Sequence, residues 1–341
     1  MQKFIALWLH RYKKYTHLFK VYFYFFKVYL KIWLLKIKFG GKRKIIVIVL
    51  TQQFGDIVAS EPISRQVRKE NENDYIFWIV KPSFKELLSN NPNIDGIIEE
   101  YCANQRKLLL DSSIFDKVYN LQFRNNSYCS ICNIYVDNLE ADAENITIHN
   151  YFFQGNLLTI QQKIAKLPVD DIAPIVYITN QEKIKIDSLN LPEKFIVIHC
   201  QSAQNNKNWS SFKWLALIEY LLQKTDYQVI EIGLASDLNT NQIKYTNLCG
   251  KLSLLETAEV IRRAQLYIGV DSGPAHLANA VNTFGIIMVG KLDHFTNQMP
   301  YSGLYKSGKN AIIVRNSEGS SSEIEVNEVI QTIINSKSLL K

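Results

Sequence analysis

The residues best placed to do chemistry lie in residues 266–281, LYIGVDSGPAHLANAV. A short apolar run with the pattern of a buried strand stops at Asp271-Ser272-Gly273. Pro274 then suits the first turn of a helix, where its missing N–H costs nothing. A helix starting there presents free N–H groups and a partial positive charge, which together suit an anion such as a phosphate. Ser272 and Gly273 leave that backbone uncovered, and His276 follows within the first turn. The same residues admit a plainer reading, in which Asp271 or Ser272 caps the helix and His276 is a core histidine. A second candidate is the C-x-x-C of Cys129 and Cys132. It has no second pair and no neighbouring His set in the sequence, so neither a zinc site nor a redox centre is expected there. The 5 Cys of the chain are an odd number without framework spacing, which fits a reducing compartment.

Strands and helices must hold these groups, and their pattern repeats twice. Residues 45–50 (IIVIVL) form a continuous β-branched run, the mark of a strand buried in a parallel sheet. A turn over 52–56 (QQFGD) leads to a helix over 57–70, a strand over 75–80, a helix over 84–88, a strand beginning at Ile97 and a strand over 115–123. After the Pro-punctuated stretch 168–192, strands are expected over 195–200, 228–233, 265–270 and 285–290, with helices over 214–225, 254–264 and 274–280. This alternation predicts an α/β fold of two Rossmann-like domains, residues 44–175 and 176–341, facing across a cleft. Ligands of such sheets sit at the carboxyl ends of the strands. Neither first turn carries G-x-G-x-x-G and no G-x-x-x-x-G-K-[ST] occurs, so dinucleotide and P-loop sites are not expected.

Residues 1–43 stand apart. The chain has a formal net charge of +7, yet residues 1–44 hold 12 Lys or Arg and no acid, leaving 27 basic against 32 acidic residues elsewhere. The basic balance therefore belongs to the head, and a nucleic-acid-binding body is not expected. The head also holds 13 of the 40 aromatic residues. Lys13, Lys20, Lys27, Lys31 and Lys38 fall in a helical stripe roughly 40° wide at about 100° per residue, between faces rich in Phe, Tyr, Trp and Leu. This is the pattern of an amphipathic helix lying on an anionic membrane surface, with rings at the acyl boundary. A membrane span is opposed by the central lysines, and a cleaved leader by the lack of a small-residue site. A helix packed on the body or on a partner is the remaining alternative.

The pattern DSGPAHLANA over 271–280, the loop IVIHCQSAQNNKNW over 196–209, the stretch LCGKLSLLETAEVIRRAQLYIG over 248–269 and the first strand and Gly-Asp turn over 45–63 occur in the order found in glycosyltransferase family nine. Over roughly residues 44–315 the chain resembles these bacterial heptosyltransferases of lipopolysaccharide core assembly. The resemblance implies the type B glycosyltransferase fold, an ADP-activated sugar, inverting transfer, a donor site in the C-terminal domain and an acceptor site in the N-terminal one. By position, Asp56 matches the proposed general base, with Gln53 close by; Asp56 capping a helix from Ile57 is the alternative. Lys207, ahead of Trp209, matches a lysine that neutralises the leaving diphosphate, unless it is a solvated loop residue. Ser202 would bond the same phosphates, Asp271 the sugar hydroxyls, and Ser272, Gly273 and His276 the diphosphate. Glu231 or Asp237 would hold the ribose. Cys200-Gln201, Ser210 and Lys291-Leu292-Asp293 depart from the family's usual residues near the donor pocket, and residues 125–162 have no counterpart.

The function expected is inverting, metal-independent transfer of a sugar, most simply heptose from ADP-heptose, to a lipopolysaccharide core or other cell-envelope saccharide, lipid-linked, at the inner face of the cytoplasmic membrane. The absence of any D-x-D motif argues against a carboxylate-held Mg²⁺ or Mn²⁺ there, and no cofactor is expected beyond the nucleotide-sugar donor, which is a substrate. A protein acceptor and a non-catalytic sugar-nucleotide-binding role are the alternatives.

Overall fold

The computed structural model describes residues 2–51, 53–123, 128–291 and 295–336. Gln52 of the first turn, residues 124–127, and Leu292 and Asp293 of the departing loop lie outside the described residues. The chain forms two compact units. One comprises Met1–Gln52, Ile63–Tyr151 and Ile160–Val169, and the other Gln53–Pro62, Phe152–Thr159 and Asp170–Lys341.

The first unit opens with α1 (Gln2–Phe39), followed by β1 (Ile45–Val49). Next in the chain come α2 (Phe54–Ala59), which belongs to the second unit, and α3 (Glu61–Glu70). Then follow β2 (Tyr75–Val80), β3 (Gly96–Glu99), α4 (Ala103–Asp111) and β4 (Lys117–Asn120). The four strands make a parallel sheet in the order β3-β2-β1-β4. β1 is buried along its whole length, which is why its sequence is apolar at every position rather than at alternate ones. A short antiparallel hairpin, β5 (Tyr128–Cys129) and β6 (Ile134–Tyr135), follows. The single helix expected over 57–70 is two, broken at Ser60, whose hydroxyl turns back onto the Asp56 carbonyl. The 84–88 helix is a 3₁₀ segment over Pro82–Leu88.

The head is one continuous helix. It is also part of this unit's core: Val21 and Ile32 are fully buried, and Phe25, Val28, Tyr29 and Leu35 pack with them against Ile45, Val47, Phe77 and Leu109. Asp116 ties the helix down by accepting from Lys36 Nζ (2.7 Å) and from the Ile45 N–H (2.7 Å). The packed-helix alternative thus describes the inward face of α1. Its outer face, roughly opposite Val21 and Ile32 at about 100° per residue, leaves Trp8, Tyr12, Phe19, Phe26, Trp33 and Ile37 exposed. The five aligned lysines are exposed beside that ridge.

After the small helices α5 (Leu139–Ala143) and α6 (Leu157–Ile164), the remainder of the second unit begins with α7 (Asn180–Asp187). It continues through β7 (Phe195–His199), α8 (Ser211–Lys224), β8 (Gln228–Ile232), β9 (Tyr245–Asn247), α9 (Leu254–Arg263) and β10 (Leu266–Val270). Then come α10 (Gly273–Ala280), β11 (Gly285–Val289), α11 (Gly303–Lys306), β12 (Ala311–Arg315) and α12 (Val326–Asn335). Its parallel sheet runs β12-β11-β10-β7-β8-β9 over a core that includes Trp214, Leu217, Ile268 and Met288. Ser210, where the family usually has Pro, is the N-cap of α8 and accepts from the Lys213 N–H, so the helix start is kept by different chemistry.

Candidate functional site

The second unit gathers most of the singled-out residues at the carboxyl ends of β7 and β10 and the starts of α2 and α10. Gly55 and Gly273 make this possible. A Cβ on Gly55 would stand 3.0 Å from His276 Cδ2 and 3.2 Å from Gly273 Cα, and one on Gly273 only 2.0 Å from the Phe54 ring. The two helix starts therefore meet through bare backbone, which is the use of glycine at such a crossing.

Ser272 is the N-cap residue of α10, but its hydroxyl makes no cap bond. It donates to the Val270 carbonyl (3.0 Å) and lies 3.1 Å from Nδ1 of the buried His199. In the first turn of α10, Pro274 carries no N–H and the Ala275 N–H donates to the Ser272 carbonyl (3.1 Å), while the Ser272 hydroxyl leaves the Gly273 N–H uncapped. Asp271, just before, is buried. Its Oδ2 accepts from Lys207 Nζ at 2.9 Å and its Oδ1 from the Tyr301 hydroxyl at 2.8 Å. Burial raises its pKa, but the Lys207 charge and these bonds outweigh that and hold it below the usual carboxylate range. Lys207 is thus a paired cation and not a solvated loop lysine. Its loop is stapled by Asn208, which accepts from Ser202 N–H (2.6 Å) and donates to the Ser202 carbonyl (3.2 Å), and by the Ser321 hydroxyl on the Lys207 carbonyl.

Asp56 sits in the first turn of α2, part-buried, while Gln53 occupies the exposed N-cap position. The helix starts three residues earlier than expected from the sequence, so Asp56 is not its cap. Among the described residues no side-chain bond or ion pair holds its carboxylate. Burial, and secondarily the negative charge of Asp271, raise its pKa to about 7. His276 is buried against the Tyr301 ring (4.7 Å between centroids) with Nδ1 unpartnered among the described residues. Burial lowers its pKa to about 4, so it is neutral at working pH.

Other candidates stand differently. The Ser202 hydroxyl donates to the Gln204 carbonyl (2.9 Å). Glu231 is buried and accepts from Ser236 and Tyr245. Asp237 is exposed and accepts from Gln201, one of the residues that depart from the family pattern. Tyr301 and His199 carry no role in the sequence reading: Tyr301 lies in an irregular stretch without a motif, and His199 is the histidine of the 196–209 loop pattern but has no function assigned to it there.

In the first unit a cavity of about 390 Å³ is lined by Thr51, Lys81, Ser83, Glu100, Arg106 and Tyr128, among others. Arg106 is fully buried there and pairs with Glu100 at 2.7 Å. Beside it the structure gathers what the sequence kept apart: His17, Cys102, Cys129 and Cys132 lie together. The C-x-x-C is therefore not alone. Its partners come from α1 and from the residue ahead of α4, too distant in sequence to be read as a ligand set.

Two units built on parallel sheets, with a part-buried Lys–Asp pair beside a helix start, have the architecture of the type B glycosyltransferase fold, and solved structures share that fold. The chain superposes on "E. coli ADP-heptose lps heptosyltransferase II" with a TM-score of 0.62 at 20% identity, covering 87% of this chain and 98% of that one. Residues 158–332 match the profile of "Glycosyltransferase family 9 (heptosyltransferase)", and the chain belongs to that family. It is 34% identical over 119 residues to "Lipopolysaccharide heptosyltransferase 3" of Escherichia coli, a match spanning 32% of this chain and 35% of that protein. It is 23% identical over 313 residues to "Lipopolysaccharide heptosyltransferase 1" of Campylobacter coli, spanning 74% of this chain and 85% of the relative.

Proposed function

We infer that the protein transfers a sugar, most simply heptose from ADP-heptose, to a lipopolysaccharide core or other cell-envelope saccharide with inversion at the anomeric carbon. The observation that carries this is one constellation: a carboxylate of raised pKa at the start of α2, against a helix start and a Lys–Asp pair at α10. The names of the E. coli and C. coli relatives support the sugar and the acceptor class.

In this scheme Asp56 takes the proton of the attacking acceptor hydroxyl as the oxygen closes on the anomeric carbon. The diphosphate leaves from the opposite side of that carbon. Lys207, the Gly273 N–H and the positive end of α10 stabilise its growing charge, and neutral His276 donates from its ring N–H. Asp271 keeps Lys207 aimed and accepts from the sugar hydroxyls. This machinery supplies positive charge without a divalent ion, so no metal is assigned to the transfer step. The cavity lined by Lys81, Ser83 and Tyr128 is the acceptor site in this reading, its polar groups suited to saccharide hydroxyls. The outer ridge of α1 and its lysine row rest on the inner face of the cytoplasmic membrane. Among the described residues no helix is long and apolar enough to cross a membrane.

The test is purified protein with ADP-heptose and a core-saccharide acceptor, read by release of ADP and by the product mass. Transfer is expected with ADP-heptose, not with UDP- or GDP-sugars, and is expected to persist in EDTA. No ADP release with any acceptor overturns the reading. Loss in EDTA that Mg²⁺ restores and Zn²⁺ does not overturns metal-free transfer.

A further inference from the structure

We propose that His17, Cys102, Cys129 and Cys132 bind one zinc ion, which ties the head helix to the body. The four ligand atoms all lie within 4.8 Å of one another. A tetrahedral ion with Zn–S of about 2.3 Å and Zn–N of about 2.0–2.1 Å separates its ligand atoms by about 3.5–3.8 Å. The distance from Cys129 Sγ to His17 Nε2 is 3.5 Å, one such edge already formed. Closing the rest onto an ion asks for shifts of about 1 Å or less.

The ligands come from separate elements. Cys102 is the N-cap residue of α4, Cys129 ends β5, and Cys132 lies in the turn before β6. A C-x-x-C across a tight turn lets both thiolates reach one ion, and Asn133 with φ 54° completes that turn. His17 arrives from α1, over a hundred residues earlier in the chain.

The surroundings orient these ligands as a metal requires. The Tyr101 hydroxyl lies 3.2 Å from His17 Nδ1, and its ring packs on the imidazole at 5.1 Å. With Nδ1–H donating to that oxygen, Nε2 carries the lone pair and faces Cys129. Asn104 Nδ2 lies 3.5 Å from Cys132 Sγ and donates to it, a bond that favours the thiolate. Three thiolates and one imidazole are a soft donor set suited to zinc and not to Mg²⁺ or Ca²⁺, which prefer oxygen ligands. On binding, three thiol protons leave to solvent and no electron is transferred. The ion would hold the N-terminal half of α1, where large apolar side chains are mostly exposed, against α4 and the hairpin. Cys102 and Cys129 also line the cavity assigned to the acceptor, so the ion would fix one wall of it.

This inference does not depend on the transferase reading, because its test reads metal and not turnover. Untagged full-length protein, purified without chelator, is analysed by elemental mass spectrometry. About one zinc per chain is expected, released when the thiols are modified with a mercurial. Cobalt-substituted protein should show a thiolate-to-cobalt charge-transfer band. Cys129→Ser and His17→Ala should lose most of the metal, while Cys249→Ser, in the other unit, should retain it. The wild-type metal content and cobalt spectrum decide the matter even if a variant fails to fold. Metal-free wild-type protein, a Cys129–Cys132 disulfide, or stoichiometric iron in place of zinc would each overturn the assignment.

Discussion

Asp56 holds its proton to about pH 7, chiefly because burial disfavours its charge and secondarily because Asp271 stands near. Two consequences follow at the residue scale. As general base it must be ionised, so kcat should rise with pH to a plateau above about 7. Asp56→Asn should flatten that limb and lower turnover roughly a hundredfold or more; unchanged turnover would remove Asp56 from the mechanism. The same shift has a stability sign. Between the unfolded carboxyl value near 4 and about 7, the folded chain keeps a proton that the unfolded chain releases, so stability falls as pH rises through that window. Asp56→Asn should therefore stabilise the protein more at pH 8 than at pH 4, by about 1–3 kcal/mol, read from denaturant midpoints at the two pH values. Lys207 is the other test at this scale. Lys207→Ala should weaken ADP about ten- to a hundredfold by calorimetry, the worth of one charge-assisted hydrogen bond. It also leaves Asp271 buried without its cation, so the Asp271 pKa should rise. Equal ADP affinity in the variant would exclude Lys207 from the nucleotide site.

At the scale of elements, the crossing of α2 and α10 brings Asp56 from early in the chain to Asp271 and His276 from late in it. Its tolerance is small because the backbones meet at glycine. Gly273→Ala drives a methyl into the Phe54 ring. We expect a cost of about 1–3 kcal/mol from overpacking and a larger loss of kcat than of ADP affinity, because the displaced element carries Asp56. A wild-type melting temperature and rate in this variant would show that the crossing is looser than its geometry. The sequence displayed this element poorly. Phe54-Gly55-Asp56 reads as a turn because Gly breaks helix propensity, yet packing on α10 offsets that weakness and starts the helix early.

For the whole molecule, the head has two opposite faces. Val21 and Ile32 are core residues of the first unit, so a chain beginning at Lys42 cannot be a neutral truncation. Removing α1 uncovers part of the apolar surface of Ile45, Val47 and Phe77 and should lower the melting temperature by about 5–10 °C, or leave the protein aggregating. The outer ridge makes its own forecast: the full chain should sediment with anionic vesicles, less with neutral ones, and less again in high salt. Replacing Trp8, Phe19, Phe26 and Trp33 with Ser should abolish sedimentation while the melting temperature holds, since these side chains are exposed. Vesicle binding that survives this change would locate the membrane surface elsewhere.

The α/β alternation, the helix that begins at the Asp271–Pro274 stretch, the family and the helical head were all legible in the sequence, because each is a local pattern of apolar runs, glycines and charges. Which face of α1 turns inward was not legible. The head is apolar almost all round apart from its lysine row, and only the presence of β1, β2 and α4 selects the Val21–Ile32 face. Tyr301 on Asp271 and the meeting of Gly55 with Gly273 were equally hidden, since their partners are hundreds of residues apart or lie outside any motif. The thiol and imidazole cluster shows the difference most plainly. Sequence supplied a pair of cysteines; folding brought a third cysteine from the start of α4 and a histidine from α1 to within reach of them. Spacing along the chain carries no record of that closure, because it is set by the packing of whole elements.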